Sequence, residues 1–533
     1  MKRILSLILL IPLLVYCGPA KEDPTEDPNS GQQVDPGTNP GTEDPGTNPG
    51  GEEQKPEAVI SLTSKEHLDV NYQGGTSLVR FTTNYDWTLT SEDKWVHPTS
   101  ESGAAQENTI AVLVRFDDNP STHDRNGQLV ITAGTATQVI TLSQPSDPQA
   151  VPAPPLTSGS TVLATNPNVE KFLTEVDYPD KDLTFTRVLD YYGGFNGKTY
   201  DENGNEDPAG KAFDWENQPD SDRPMSYSIN WTEADLDGDS DMVLVLADQY
   251  GWKAETEVFA GDLYVNITNL VPNDQYTYKV TSTGSGKVIT EGSFSTTGHL
   301  HQVFFKSGCR NGRDLGGWKT LDGRMVKYRK LYRGGRMQSE TVNNSGKKEI
   351  LAEGIGAQLD LRNSDRIKQP AVDGLEFLAP AIEQGGTTML KTDHARTKQC
   401  FEFIVNCLRN NKPVYFHCSL GRDRTGTLDI LLLGVLGVRE GDISKAYEVT
   451  YFAPVGYSVS SSEKPNNPEP IFLNTRMQWA YSDVAPYFWS MADKAKAEGA
   501  GDGSFASGVE YYLLNVAEVS QKDIDDFRSM MLE

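Results

Sequence analysis

Residues His417 to Gly426 read His-Cys-Ser-Leu-Gly-Arg-Asp-Arg-Thr-Gly, which places five residues between Cys418 and Arg424. Upstream, Pro413-Val-Tyr-Phe416 is a short apolar, aromatic and β-branched run, the pattern of a buried parallel strand. Downstream, Thr427-Leu-Asp-Ile-Leu-Leu-Leu-Gly-Val-Leu436 is leucine-rich and reads as a buried helix. Strand, tight loop and helix in that order call for an α/β domain with a central sheet flanked by helices. The loop then lies at a helix N-terminus, where unpaired N–H groups and the macrodipole favour an anion. Six fixed positions at roughly 1 in 20 each give about one chance occurrence per hundred thousand chains of this length, so the string is a signal.

Its chemistry follows from where charge sits. The loop can curl so that the amides of Ser419, Leu420, Gly421, Arg422 and their neighbours through Gly426 converge on a tetrahedral anion, with Arg424 beside them. Cys418 is then aimed at the central atom, and the helix field together with Arg424 lowers its pKa toward a usable thiolate. In phosphoryl transfer Cys418 would attack phosphorus and carry a phosphocysteine intermediate. Arg424 would give bidentate donors to equatorial oxygens. Thr425 can hydrogen-bond the departing thiolate, and His417 is expected to orient the loop rather than exchange a proton with substrate. No metal and no cofactor is expected, because amides and arginine already neutralise the phosphate.

These residues resemble the tyrosine phosphatase superfamily, in particular its bacterial branch of tyrosine, serine and lipid phosphatases. Asn311-Gly-Arg-Asp-Leu-Gly-Gly317, Leu359-Asp-Leu-Arg362 and Gly508-Val-Glu-Tyr-Tyr-Leu-Leu514 agree with that branch, as does the tail through Ile524-Asp-Asp-Phe-Arg528. The resemblance covers residues 300–533. It implies that Asp423, inside the loop, protonates the leaving group, since the Trp-Pro-Asp string of many members is missing from this sequence; the alternative is a structural salt bridge with a neighbouring arginine. Asp393, ahead of a helix expected at His394–Leu408, is the competing acid, or an N-cap. Arg422 stands where phosphoinositide phosphatases of the branch carry a lysine, which keeps inositol phosphates and phosphoinositides open beside phosphotyrosine. Arg313, Asp314, Asp360 and Arg362 either buttress the loop through ion pairs or fix strand ends, the latter being favoured.

The rest of the chain bears on where such chemistry would occur. Met1-Lys-Arg and the apolar run Ile4–Tyr16 form a secretory signal too short for a stable membrane span. Leu14-Val-Tyr-Cys17 resembles a lipoprotein cleavage box with Cys17 lipidated, and Lys21-Glu-Asp23 resembles the export signal of Bacteroidota surface lipoproteins. Residues 18–56 are Pro, Gly, Thr, Asn and acids, with Pro-Gly-Thr-Asn-Pro-Gly at 36–41 and 45–50, the composition of a disordered tether. The protein is therefore expected to be exported and held to a membrane by its lipid, at the outer membrane, the surface or facing the periplasm. A formal charge of −27 argues against nucleic acid as a partner. Residues 301–450 nevertheless hold 24 Lys plus Arg against 17 Asp plus Glu, which suits an anionic substrate.

Residues 57–146 alternate apolar and polar in short runs such as Gln138-Val-Ile-Thr-Leu142 and read as an all-β sandwich. Trp87, Trp95, Asp118-Asn-Pro120, Arg125 and Gln144 resemble a BACON module, for which a weak glycan contact is conceivable and a core role for the tryptophans is favoured. A linker and loop-rich extension spans 147–223, with a short helix expected over 166–176. Residues 224–297 resume strand alternation and resemble a fibronectin type III sandwich. Asp235, Asp237, Asp239 and Asp241 read as a solvated acidic turn rather than a calcium loop, since Ser240 occupies the glycine position. His299 and His301 have no third ligand nearby, and Cys400 and Cys407, about 10 Å apart along a helix, read as core residues. The expected architecture is thus two β-sandwich modules followed by an α/β cysteine-phosphatase domain acting on a phosphoprotein, an inositol phosphate or a phosphoinositide. A non-catalytic surface binding lipoprotein is the competing reading.

Overall fold

The computed structural model describes residues 56–175, 177–178, 221–306, 308–338, 342–363, 369–453 and 479–533. The expected signal, Cys17 and nearly all of the tether lie outside these residues, as does most of the loop-rich extension. Among the described residues no helix is long and apolar enough to cross a membrane.

The N-terminal region is built from strands, as its two-residue alternation requires. One sheet runs Ile60–Leu62, Gly75–Thr83, Gln106–Phe116, Val96–Pro98, and a second runs His67–Asp69, Ala136–Gln144, Arg125–Ala133, Trp87–Thr90, Ser102–Gly103. Their alternate residues meet in one apolar cluster that includes Val79, Phe81, Trp87, Leu129 and Ile140. Trp87 and Trp95 are buried there, at 6% and 7% exposure, so neither offers a ring face to a glycan. Arg125 lies 4.5 Å over the Trp95 ring and bonds Gln144 through Nε, which explains why these residues occur together.

A second strand region has a five-stranded sheet in the order Thr161–Leu163, Val288–Thr297, Gln275–Ser282, Met242–Asp248, Lys253–Val258, with Tyr227–Asn230 paired to Tyr264–Ile267. This sheet starts earlier than the expected boundary at 224, because Thr161–Leu163 joins it in parallel with Ser295–Thr297. Asp237 accepts from Ser282 Oγ at 2.9 Å, and no group of three or more His, Cys, Asp or Glu among the described residues could hold a metal ion.

The C-terminal region is α/β. Helix α1 (Pro167–Glu175) precedes it in sequence. Its sheet has strands β1 (Arg313–Asp314), β2 (Leu331–Gly334), β3 (Ala357–Asp360), β4 (Glu376–Leu378) and β5 (Val414–His417), in the order β1-β2-β5-β3-β4. All pairs are parallel except β1 with β2. Helices are α2 (Asn344–Ala352), α3 (Thr387–Lys391), α4 (His394–Arg409), α5 (Asp423–Val435), α6 (Glu440–Glu448), α7 (Trp479–Ala497), α8 (Phe505–Asn515) and α9 (Gln521–Met531). Strand β5 is central and wholly buried, and its alternation serves two layers. Val414 and Phe416 join a cluster with Leu428, Leu431 and Phe401, while Tyr415 joins Tyr332, Ile350 and Val303 on the other side.

Helix α1 is not a free linker element. Val169, Phe172 and Leu173 enter the cluster of the C-terminal region, with the Phe172 ring 5.7 Å from that of Phe452. Ala58–Glu533 form one compact unit.

Candidate active site

The loop after β5 is shaped by what its carbonyls bond. Ser419 O accepts from the Arg336 amide at 3.1 Å. Leu420 O and Gly421 O accept from Asn311 Nδ2 at 3.1 and 3.2 Å, and Gly421 O also accepts from Arg333 Nη2. These three carbonyls are thus held by side chains and backbone outside the loop. The amides of Ser419, Leu420, Gly421, Asp423 and Arg424 meet no acceptor among the described residues, and unpaired N–H groups at a helix N-terminus suit an anion. Gly421 sits at φ +72°, and a Cβ there would lie 2.5 Å from the Gly334 carbonyl carbon, so this turn requires glycine. The helix starts at Asp423, four residues before the expected Thr427, so Asp423, Arg424 and Thr425 form its first turn. Their polar side chains hid that start from a reading based on apolar periodicity.

Cys418 follows β5 at 3% exposure. Burial alone pushes its thiol pKa up; the Thr425 hydroxyl and amide, then the charge of Arg424, more than offset this, and Asp423 opposes them weakly. The thiol ends below its ordinary value. Thr425 Oγ1 makes no hydrogen bond of good geometry, and its influence on the sulfur is one of closeness rather than alignment. Arg424 Nη1 donates to Ile382 O at 3.0 Å, which fixes the guanidinium without neutralising it. Gly385 lies beside it: a Cβ there would come 2.6 Å from the Asp423 carbonyl carbon, so segment 380–387 walls the loop.

Asp423 is held by Arg422, with Nε to Oδ1 at 2.9 Å and Nη2 to Oδ2 at 3.3 Å. Arg422, whose charge keeps polyanionic substrates open, is therefore paired. Asp393 stands at the N-cap of α4, but its carboxylate caps no amide and instead meets Arg396 Nη1 at 2.8 Å and the Glu383 amide at 3.4 Å.

His417 has a definable tautomer. Ala371 N–H donates to Gln358 Oε1 at 2.7 Å and Gln358 Nε2 donates to Met337 O at 3.0 Å, which orients the amide. Gln358 Nε2 then donates to His417 Nε2 at 2.9 Å, leaving Nδ1–H to donate to Cys418 O at 3.1 Å. Burial lowers the His417 pKa, against the pull of Asp360, and the ring is neutral. It holds the Cys418 carbonyl. Asp360 faces His417 across the β3–β5 register and is clamped by Arg362, with Nη2 to Oδ2 at 2.7 Å.

Arg313 does support the loop, though not by an ion pair: it bonds Asn311, Ala446 O at 2.7 Å and Thr450 Oγ1 at 3.1 Å. Asp314 fixes a strand end instead, accepting from the Gly316 amide at 2.7 Å and meeting His301 Nδ1 at 3.1 Å. Sequence reasoning missed Asn311, Arg333, Asp429, Gln358 and Thr450. Two carried a signal: an arginine within strand β2 and an aspartate within the leucine run of α5 both need buried partners, and each is the other's.

The model of the tyrosine phosphatase family matches residues 306–533, and that of the BACON domain, described as "Putative binding domain, N-terminal", matches residues 85–145. Residues 306–533 are thus similar to the tyrosine phosphatase family. A Cupriavidus necator protein named "Putative tyrosine-protein phosphatase" is 28% identical over 172 residues, covering 28% of this chain and 62% of its own. The chain thus spans less than two thirds of that relative. Among solved structures, a Bacteroides ovatus GH5 xyloglucanase in complex with a heptasaccharide gives a TM-score of 0.16 at 13% identity, over 28% of this chain and 30% of its own. A Bacteroides thetaiotaomicron protein solved by NMR gives 0.14 at 19%, over 19% and 97%. Scores this low assign neither fold nor ligand to this chain. The matched region contains the whole loop and the supports Asn311, Arg333, Gln358, Asp429 and Thr450.

Proposed function

We propose that the chain is a phosphomonoester hydrolase working through a phosphocysteine intermediate, on phosphotyrosine or a mixed set of phosphorylated residues in protein. The observation that carries this is the set of unpartnered loop amides above a buried Cys418 whose pKa is depressed. A phosphate oxygen set would replace the missing acceptors. Cys418 Sγ attacks phosphorus in line, the alcohol leaves with a proton from Asp423, and water later cleaves the thiophosphate. Arg424 and the amides follow the equatorial oxygens through both steps, while Thr425 stabilises the departing thiolate. To serve as acid, Asp423 must give up its pair with Arg422 as the dianion enters.

The Arg422 pair favours phosphoprotein over inositol phosphate or phosphoinositide, because it leaves less free cation beside the loop for additional phosphates. We further propose export and lipid anchoring at Cys17, with the tether carrying the domains away from the membrane and the BACON region acting as a spacer. The deciding experiment is turnover of an aryl phosphate by the full chain and by Cys418→Ser. Vanadate-sensitive hydrolysis lost completely in a folded Cys418→Ser supports the reading. No turnover by the native chain would leave a binding lipoprotein.

A further inference from the structure

We infer that Asp222, outside the region matched to the phosphatase family, is a positioning residue for the Cys418 chemistry; this rests on the phosphatase reading above. Its carboxylate is 3% exposed and gathers three donors. Arg310 reaches it with Nε at 2.9 Å and Nη2 at 2.5 Å, and the Asn311 amide with 2.9 Å. Both donor residues continue to the loop. Asn311 holds the Leu420 and Gly421 carbonyls through Nδ2, and does so from a left-handed backbone at φ +58°. Arg310 O accepts from the Gly335 amide at 2.7 Å, beside the Gly334 backbone on which Gly421 turns. Asp222 is itself fixed from its neighbour: Ser221 Oγ accepts from Asn168 Nδ2 on α1 at 3.0 Å, and Ser221 O from Gln302 Nε2 at 3.3 Å.

The physical consequence is a chain of restraint running from Asp222 to the loop amides. Removing the carboxylate takes two acceptor contacts from the buried Arg310 guanidinium and frees the Asn311 amide. Asn311 then has less reason to keep a left-handed conformation, which non-glycine residues adopt at a cost. If its side chain turns, two loop carbonyls lose a donor and their peptide planes can rotate. The amides would then no longer converge on the anion, nor favour a thiolate beneath it. Asp222 contacts Arg310 and Asn311, so it would act on Cys418 through them.

The test uses the full chain with Asp222→Ala and Asp222→Asn. Three measurements are compared: aryl phosphate kinetics, the pH dependence of Cys418 alkylation by iodoacetamide, and thermal unfolding. In a folded Asp222→Ala, kcat should fall about ten- to a hundredfold, the scale of loss from a small misplacement, with KM changed much less. The alkylation midpoint should move to higher pH, a signature that loss of stability alone does not produce. Asp222→Asn, which keeps an acceptor for the Asn311 amide, should lie between. A folded Asp222→Ala with native kcat and native alkylation profile overturns the inference, as does a loss that only tracks the unfolded fraction. Should Asp222→Ala not fold, Asp222→Asn decides; if neither folds, the residue serves folding and the positioning role is rejected. A native chain that turns over no phosphomonoester sinks the phosphatase reading, while the alkylation shift still tests Asp222.

Discussion

At Cys418, burial works against the thiolate and the first turn of α5 works for it. Because the net shift is downward, the reactive form is present above the folded pKa and is lost as pH falls through it. Cys418 alkylation should therefore have its midpoint below that of an ordinary thiol, and kcat/KM should show an acid limb there. Thr425→Val removes the hydroxyl that contributes most to the lowering and should move the alkylation midpoint up; an unmoved midpoint would assign the shift elsewhere. Asp423 can be tested by leaving group. Asp423→Asn should slow an alkyl phosphate about a hundredfold while slowing an activated aryl phosphate much less, since only the poor leaving group needs a proton in the transition state. Equal slowing of both substrates would remove Asp423 as the acid.

At the scale of elements, β5, its loop and α5 were legible because the information is local: ten consecutive residues specify the nucleophile, the cation and the turn. Gly421 shows how strict that string is. Gly421→Ala would place a methyl group 2.5 Å from the Gly334 carbonyl and force φ +72° on a side chain, at about 1–2 kcal/mol for the backbone alone. Turnover should drop at least about a hundredfold while far-ultraviolet circular dichroism keeps its native form, since the strand and helix on either side are untouched. What was not legible is the outer ring of supports. Asn311 meets Gly421 across 110 residues and Arg333 meets Asp429 across 96, and no periodicity records such pairs. The Arg422 pair differs, because adjacent opposite charges had already made a salt bridge the alternative to an acid role for Asp423.

For the whole molecule, the strand regions and the C-terminal α/β region were separable in sequence by their two periodicities, yet the boundaries between them were not. Nine residues of α1 have the apolar spacing of any surface helix, and only the structure shows Phe172 against Phe452. The junction also contains a residue with no motif around it. Arg329, at φ +59°, lies 3.7 Å over the Trp252 ring, pairs with Glu353, and comes within 3.6 Å of Asp248. Trp252 and Asp248 belong to the second strand region, while Glu353 follows α2 of the C-terminal region. The side chain is 12% exposed, so its loss strands two carboxylates in a poorly hydrated seam. Arg329→Ala should cost about 3 kcal/mol, the lower end for breaking a buried pair. It should also split chemical unfolding of this part into two transitions, where a single one is expected of the native chain. Because the seam is remote from Cys418 in the bonding described, aryl phosphate kcat should stay within about threefold of native in the folded variant, a small change for a residue outside the reacting geometry. A single unchanged transition would mean that the strand region and the C-terminal region are joined by something other than this arginine.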